Sequence, residues 1–450
     1  MATISNINFT DELDCEGINS ASWSRRRDQP LQGDQNIHVE VRSDQIFQTW
    51  EGFGGAVSEL GMQAVQTLSK EKQNEFFEAV FGKSGLGLAW IRLPLGSSDF
   101  ALDAYSYAQT PEDYELKHFS IDRDKELIIP FIRAAKEVNP QLRIHASPWS
   151  PPGWMKKSGT MDDLRRLGIE EGRLRCEPKV LSAYAKYLRM VVQAYEAEGL
   201  PISRLMVQNE MDSVSKFPTC AWDPELFVDF HLNYLKPELE AHHCETEIWA
   251  GTFRTISGMQ AHDCFSDEEF RSYVSGCAFQ YSFPETMRDL ALLYPRTRFM
   301  HTESVCHGGE NSEFEAVYQF DNVLECMQAN IDVFTYWNIV LSQTPRSSWG
   351  WKQNSLVTVN TEDGVLSYNP DFRVYRFLYD HIKPGAVRLM SFSYQSTTLA
   401  VRNPDGTHIV LLRNLDEERT ATIKIDGKTQ SVELPGYSIC AIELEKESCL

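Results

Sequence analysis

The chain of 450 residues predicts an α/β protein, a (β/α)8 TIM barrel over residues 49–383 with a discontinuous β-sandwich side domain made of residues 1–48 and 384–450. Three observations predict it. From Trp50 to about Asp380, short apolar runs alternate with helical periodicity, giving eight strand-helix units of about 40 residues each. After Pro384-Gly385 the helical pattern stops and short strands separated by turn sequences take over. The length itself exceeds what one hydrophobic core usually serves, so a second, smaller domain is expected. A doubly wound open sheet is the structural alternative, but the first strand is followed by no G-x-G-x-x-G turn, only Gly52-Phe53-Gly54-Gly55.

In chain order, Ile37-His38-Val39-Glu40-Val41 alternates apolar and polar like a half-exposed strand. It has no partner nearby and is assigned to the carboxyl-terminal sheet. The barrel strands are read at Phe53 to Ser58, Leu88 to Leu95, Leu142 to Trp149, Leu205 to Glu210, Glu247 to Thr252, Gly276 to Tyr281, Thr297 to Glu303 and Ile331 to Asn338. The helices are read at Ser69 to Phe81, Asp124 to Val138, Lys179 to Ala197, Pro224 to His242, Asp267 to Tyr273, Pro284 to Leu293, Glu313 to Ala329 and Pro370 to His381. Asp223-Pro224 suits an N-cap followed by a first helical position. Thr398 to Val401, His408 to Arg413, Ala421 to Ile425, Gln430 to Leu434 and Ser438 to Leu444 complete the sandwich.

Composition narrows the functions. A hydrophobic fraction of 42% and a charged fraction of 24% are ordinary for a globular protein. No apolar stretch is long enough to span a bilayer. The net charge of -21 repels phosphate backbones and anionic lipid surfaces, so neither nucleic acid nor membrane is an expected partner. The amino terminus shows no basic start followed by an apolar segment, and the ten cysteines are scattered without a C-x-x-C pair, so a cytoplasmic location with reduced thiols is expected. Arg25-Arg26-Arg27 is read as a solvated loop. The histidines lack metal-ligand spacing, no metal or cofactor is expected, and no G-x-S-x-G elbow supports serine catalysis. Oligomeric state is not legible.

In such a barrel, functional residues sit at the carboxyl ends of strands. The polar and aromatic residues ending the apolar runs are Ser97-Ser98-Asp99, Trp149, Asn209-Glu210, Tyr281, Glu303 and Trp337-Asn338. Glu210 on the fourth strand and Glu303 on the seventh are carboxylates facing each other across the barrel mouth. Two opposed carboxyls with indole walls suit glycoside hydrolysis, in which one protonates the leaving oxygen and the other attacks or stabilises the anomeric carbon. Arg92 is a charge inside the barrel that must be paired, a catalytic carboxylate being one candidate partner.

The same residues carry a resemblance. Gly52-Phe53-Gly54-Gly55-Ala56, Ile91-Arg92-Leu93-Pro94 with Ser98-Asp99-Phe100, Ser147-Pro148-Trp149-Ser150-Pro151-Pro152-Gly153-Trp154-Met155-Lys156, Asn209-Glu210, Thr302-Glu303-Ser304 and Tyr336-Trp337-Asn338 occur in the order found in glycoside hydrolase family 30, the retaining β-glycosidases that include glucosylceramidase. Pro435-Gly436-Tyr437-Ser438-Ile439 resembles that family's sandwich. The resemblance implies that Glu210 is the acid/base and Glu303 the nucleophile. It implies that Asn209 holds the sugar 2-hydroxyl, that Asp99, Trp149 and Trp337 grip the non-reducing end, and that Tyr281 stands near Glu303. Two departures stand out: Met211 follows Glu210 where much of the family has Pro, and Phe279-Gln280-Tyr281 replaces a His-Trp-Tyr pattern of glucosylceramidase.

The expected function is a retaining, exo-acting β-glycosidase, first of all on soluble β-glucosides or glucosylceramide-like substrates. β-Xylosidase, β-fucosidase and β-1,6-glucanase activity are the alternatives within the family, and a non-catalytic sugar-binding barrel the alternative outside it. For single residues the bland readings are a loop cap for Asp99 and core filling for Trp149 and Trp337. Trp154 and Trp349 are candidate outer walls.

Overall fold

A computed structural model describes residues 2–9, 36–162, 168–254, 258–281 and 284–444. The basic triplet Arg25 to Arg27, Cys15 and Cys449 lie outside the described residues. The other eight cysteines are free thiols.

Eight parallel strands close into a barrel: β1 (Gly52–Ala56), β2 (Trp90–Pro94), β3 (Arg143–Ser147), β4 (Arg204–Met206), β5 (Glu247–Phe253), β6 (Gly276–Gln280), β7 (Phe299–Glu303) and β8 (Ile331–Asn338), with β8 returning beside β1. All are buried along most of their length, because a parallel barrel strand is covered on both faces. The β1 glycines are required by close packing: a Cβ on Gly55 would lie 2.3 Å from Ile339 Cγ1, and one on Gly54 2.9 Å from the Trp90 Cβ.

The expected helices form, with differences at their ends. Asp223 stands at the N-cap position before Pro224 but makes no cap hydrogen bond, because its carboxylate is taken by Arg173. The segment expected as one helix from Pro224 runs as Pro224–Phe230, a π-helical turn His231–Leu235, and Lys236–Ala241. Two further helices, Glu59–Gln66 and Gly258–Ser266, were not expected. The short first one is capped by Ser58, whose hydroxyl accepts from the Gly61 amide at 3.2 Å.

At the amino-terminal end of the barrel strands, the Arg204 guanidinium lies between two indoles, 4.4 Å from the Trp90 ring and 4.4 Å from the Trp249 ring. Arg143 covers the other face of Trp90 at 4.0 Å and Arg298 lies 5.0 Å from Trp249. Glu247 accepts from Arg204 Nε at 3.2 Å, so the buried charge is both paired and stacked. This stack closes the base of the barrel with flat, tightly layered side chains.

Eight further strands, Thr3–Asn8, Ile37–Thr49, Val387–Phe392, Thr398–Arg402, His408–Asn414, Arg419–Ile425, Lys428–Leu434 and Ser438–Leu444, form one mostly antiparallel ladder. Ile37–Thr49 joins it as expected, antiparallel to Val387–Phe392 and parallel to Arg419–Ile425. Inward residues from both halves of the ladder, among them Val39, Leu389, Val410, Ile423 and Ile442, share one core, so the sheet folds back on itself as a sandwich. Thr3–Asn8 and Val387–Phe392 are additional to the sequence reading. Thr3–Asn8 has two apolar positions in six and is held by its backbone pairing with Ser438–Leu444.

The described residues group into two compact units. One comprises Met1–Gly52, Asn311–Asp332 and Pro370–Leu450, the other Phe53–Glu310 and Val333–Asn369. The unit holding the sandwich thus also takes in the helices Glu313–Gln328 and Pro370–His381, beyond the expected boundaries at 48 and 384. All residues of the site described next lie in the second unit.

Removing the Arg204 side chain leaves a void between two indoles. Arg204→Ala is expected to lower unfolding free energy by about 2–5 kcal/mol, measured by urea denaturation followed through tryptophan fluorescence.

Candidate active site

The carboxyl ends of the strands converge on a cavity of about 440 Å³ whose lining includes Asp99, Trp149, Glu210, Tyr281 and Glu303. Its organising group is Arg92 on β2, fully buried. Arg92 Nη1 donates to Glu303 Oε2, and Nη2 donates to Asn209 Oδ1 at 2.5 Å and to Ser147 Oγ at 3.3 Å. The guanidinium lies 4.5 Å from the Trp149 ring and 5.4 Å from Trp337. One cation thus ties β2 to the ends of β3, β4 and β7.

Glu210 follows Asn209 beyond β4, and the tip is stitched to both neighbours: the Asn209 amide donates to Pro148 O at 2.8 Å and the Glu210 amide to Thr252 O at 3.1 Å. Glu210 has φ +51°, in the left-handed region that costs a non-glycine residue about 1 kcal/mol or more. Tyr281, just past β6, has φ +64°. Its amide donates to Glu303 O at 2.7 Å and its carbonyl meets His301 Nε2 at 2.6 Å. The strained backbones are fixed by these bonds, and the Tyr281 hydroxyl donates to Glu210 Oε1.

Glu303 ends β7. Besides Arg92, its Oε2 accepts from Gln280 Nε2 at 2.7 Å.

Burial raises the pKa of both glutamates above the ordinary carboxylate value. For Glu303 the Arg92 charge opposes the rise and Glu210 adds to it. For Glu210 the Arg254 charge and the Tyr281 hydrogen bond oppose it. Arg92 touches Glu303 directly, with Gln280 as a second donor on the same oxygen. Arg92 and Gln280 thus favour the charged form of Glu303, and the Tyr281 hydroxyl that of Glu210.

Asp99 is buried at the cavity end, where its Oδ2 accepts from Trp351 Nε1 at 3.1 Å. Burial, then the nearby Glu303 charge, raises its pKa well above the usual range. Its loop is capped by Ser98, whose hydroxyl accepts from the Phe100 amide at 3.2 Å, so the Asp99 carboxyl is left to the cavity. The loop is braced from behind: the Tyr107 hydroxyl accepts from the Gly96 amide at 2.8 Å and itself donates to buried Asp124 at 2.5 Å. Burial raises Asp124 to about 6, against the hydrogen bonds of Tyr107, Tyr195 and Tyr105.

Trp149 and Trp337 stack with centroids 5.2 Å apart at 27°. Trp149 lines the cavity; Trp337, stacked on it, is not among the lining residues, and both indoles are almost fully buried. Trp154 donates to Ala108 O at 2.9 Å and packs on Tyr114. Trp154 and Trp349 are not among the lining residues.

Several lining residues carried no strand-end signal in the sequence. Trp351 and Gln353 arrive on an excursion between Val340–Ser342 and Val357–Val359, strands of a small separate sheet. Asp212, Ser213, Ser215 and Phe217 follow Glu210, and Arg254 follows β5. Arg254 clasps Asp212 with Nε at 3.0 Å and Nη2 at 2.9 Å, giving the cavity a charged pair in addition to the Trp351-Phe217 aromatic pair. Among the described residues, no group of three His, Cys, Asp or Glu side chains is placed to hold a metal ion.

Known proteins resemble this chain in sequence and in fold. The chain is 28% identical over 405 residues to a protein named putative glucosylceramidase 3 of Caenorhabditis elegans, covering 85% of this chain and 76% of that one. It is 26% identical over 432 residues to mouse lysosomal acid glucosylceramidase, covering 89% and 82%. It is 25% identical over 444 residues to an endo-1,6-β-D-glucanase of Aspergillus fumigatus, covering 91% and 89%. The fold matches SrfJ of Salmonella typhimurium with a TM-score of 0.84 at 23% identity, over 93% of this chain and 94% of that one. Residues 50–363 match the glycosyl hydrolase family 30 TIM-barrel domain. That match extends over well more than half of the chain and takes in every strand end described above, so the chain belongs to glycoside hydrolase family 30.

Proposed function

We propose that this glycoside hydrolase is a retaining, exo-acting β-glycosidase, first of all a β-glucosidase, with Glu303 as nucleophile and Glu210 as acid/base. The observation that carries the reading is that Glu210 and Glu303, beyond β4 and at the end of β7, line one cavity together with Tyr281, whose hydroxyl donates to Glu210. Double displacement needs two carboxyls about 5–5.5 Å apart, whereas inversion needs a wider gap for water between the groups.

The steps follow from the donors around each carboxyl. Glu303 attacks the anomeric carbon as the bond to the leaving oxygen breaks, and the Glu210 proton passes to that oxygen. Once Glu303 is an ester its charge is gone, and Glu210, now ionised, takes a proton from water as that water attacks the same carbon and frees Glu303. Asn209 accepts from Arg92 through Oδ1, which turns its amide N–H₂ to serve as donor for the sugar 2-hydroxyl. Trp149 offers an indole face to the sugar C–H face, and Asp99, held by Trp351, takes the terminal hydroxyls. The charged and hydroxyl-bearing wall of Asp212, Arg254, Ser213 and Ser215 suits a polar leaving group such as a second sugar. A β-1,6-glucanase is the second reading, supported by the relative of that name that runs nearly the full length of this chain.

Glu303→Gln is expected to lower turnover of aryl β-glucosides by at least about 10⁴-fold. Glu210→Ala is expected to slow it, with azide restoring rate for good leaving groups and yielding a β-glycosyl azide. Unchanged turnover in Glu303→Gln removes it as nucleophile.

The pH profile follows from the two raised carboxyls. Activity falls on the acid side as Glu303 gains a proton, and on the alkaline side as Glu210 loses one, giving a bell displaced upward from the range of free carboxylates. With an activated aryl glycoside, Glu210→Gln is expected to abolish the alkaline limb; a limb that persists assigns it to another group.

For the sugar, kcat/KM on aryl β-glucoside is expected to exceed that on the xyloside, fucoside and galactoside, and Asp99→Asn to reduce it by about 1–3 kcal/mol of transition-state binding. Preference for β-1,6-linked glucan over every aryl glycoside selects the second reading.

A further inference from the structure

Where glucosylceramidase carries His-Trp-Tyr before β7, this chain carries Phe279-Gln280-Tyr281, and the structure shows what the amide does. Gln280 is fully buried, outside the cavity lining, and donates from Nε2 to Glu303 Oε2 at 2.7 Å. Its Oε1 accepts from the Thr252 hydroxyl, and Thr252 Oγ1 also stands 3.3 Å from Asn209 Oδ1. Asn209 Oδ1 accepts from Arg92, which closes on Glu303 Oε2. Arg92, Asn209, Thr252, Gln280 and Glu303 thus form an open ring of hydrogen bonds, left unjoined between Thr252 and Asn209 because the single Thr252 hydroxyl proton goes to Gln280, each member no more than 5% exposed.

The ring has a direction. An ionised carboxylate only accepts, so Gln280 must present its N–H₂ to Glu303 and its carbonyl to a donor, and Thr252 supplies that donor. Without the Thr252 hydroxyl, nothing on that side prevents the amide from turning its oxygen toward Glu303. Both external donors of the ring fall on Oε2, and neither holds Oε1.

We propose that Gln280 and Thr252 are positioning residues of the nucleophile: they clamp Glu303 Oε2 so that Oε1 alone attacks the anomeric carbon. The clamp rests on the assignment of Glu303 as nucleophile. In the glycosyl-enzyme, Oε2 becomes the ester carbonyl and stays in the same two donors, which then receive the returning charge when water displaces the sugar. The carboxylate therefore does not rotate between the two steps.

The charged and titratable groups facing Glu303 are Arg92 from β2, Asp99 from the loop after it, Glu210 beyond β4 and Tyr281 beyond β6. Gln280→Met keeps the volume and removes the donor without touching any of them. It is expected to reduce kcat/KM on an aryl β-glucoside about tenfold to hundredfold, and to move the acid limb upward by about one pH unit, because the ionised form of Glu303 loses a hydrogen bond. Thr252→Val is expected to move the limb the same way by less, and Thr252→Ser, which keeps the hydroxyl, to bring it back. Trapping with a 2-deoxy-2-fluoro-β-glucosyl fluoride and peptide mass spectrometry reports the nucleophile independently. A Gln280→Met enzyme with native melting temperature and an unmoved acid limb overturns the clamp, as does Thr252→Ser being as impaired as Thr252→Val. If Gln280→Met does not fold, the Thr252 pair decides alone. Label found elsewhere than on Glu303 in the unaltered enzyme overturns the nucleophile assignment instead.

Discussion

The buried Arg92–Glu303 pair is the constraint around which the barrel mouth is arranged. Taking two charges out of water costs several kcal/mol per ion, and mutual attraction offsets this only when the remaining donors and acceptors are also satisfied. Arg92 meets that condition at both Nη atoms, with Asn209 and Ser147 as further acceptors and two indoles nearby, while its buried Nε has no hydrogen-bond partner among the described residues. The same interactions align the ends of β2, β3, β4, β7 and β8, so geometry at the reacting carbon is a by-product of solving a desolvation problem. A lysine at this place would offer no planar fork to serve Glu303 and Asn209 at once.

Of the ten non-glycine residues with positive φ among the described residues, two line the cavity. Glu210 and Tyr281 both hold a left-handed conformation although neither is glycine. Each is followed or flanked by hydrogen bonds that reach a neighbouring strand, from Glu210 to Thr252 and from Tyr281 to Glu303 and His301. The turn at Glu210 ends the β4 direction abruptly and brings its carboxyl to the Tyr281 hydroxyl. Met211 behind it is fully buried, so the position where much of the family has proline is here fixed by packing rather than by a restricted ring.

The parts of the fold that read clearly from sequence are those where burial imposes a pattern. Barrel strands covered on both faces must be apolar, so a polar residue ending such a run stands out, and Asp99, Asn209, Glu210, Tyr281 and Glu303 were visible for that reason. Arg92 was visible as an interior charge in need of a partner. Trp351, Gln353 and the Asp212–Arg254 clasp were not, because they sit on loop excursions whose conformation depends on contacts made after the barrel closes. Trp337 read as a cavity wall; in the structure it stacks on Trp149, which lines the cavity. Gln280 read only as a departure from a pattern; its partners come from β5 and β7, and no local spacing announces them. Thr3–Asn8 is a strand by virtue of its pairing, with too few apolar residues to alternate.

Two glutamates with nearly equal burial are made unlike by what touches them. Desolvation raises both, and left alone would leave two interchangeable acids. Arg92 and Gln280 on one oxygen of Glu303 break the symmetry, and Glu210 receives only the Tyr281 hydroxyl and the more distant Arg254 charge. The asymmetry is also what permits the roles to alternate. In the double displacement proposed above, a charged Glu303 would help hold the proton on Glu210; esterification of Glu303 would remove that charge, lower the affinity of Glu210 for its proton and leave it poised to act as a base. No movement of either backbone is required, because the switch is carried by the charge on Glu303.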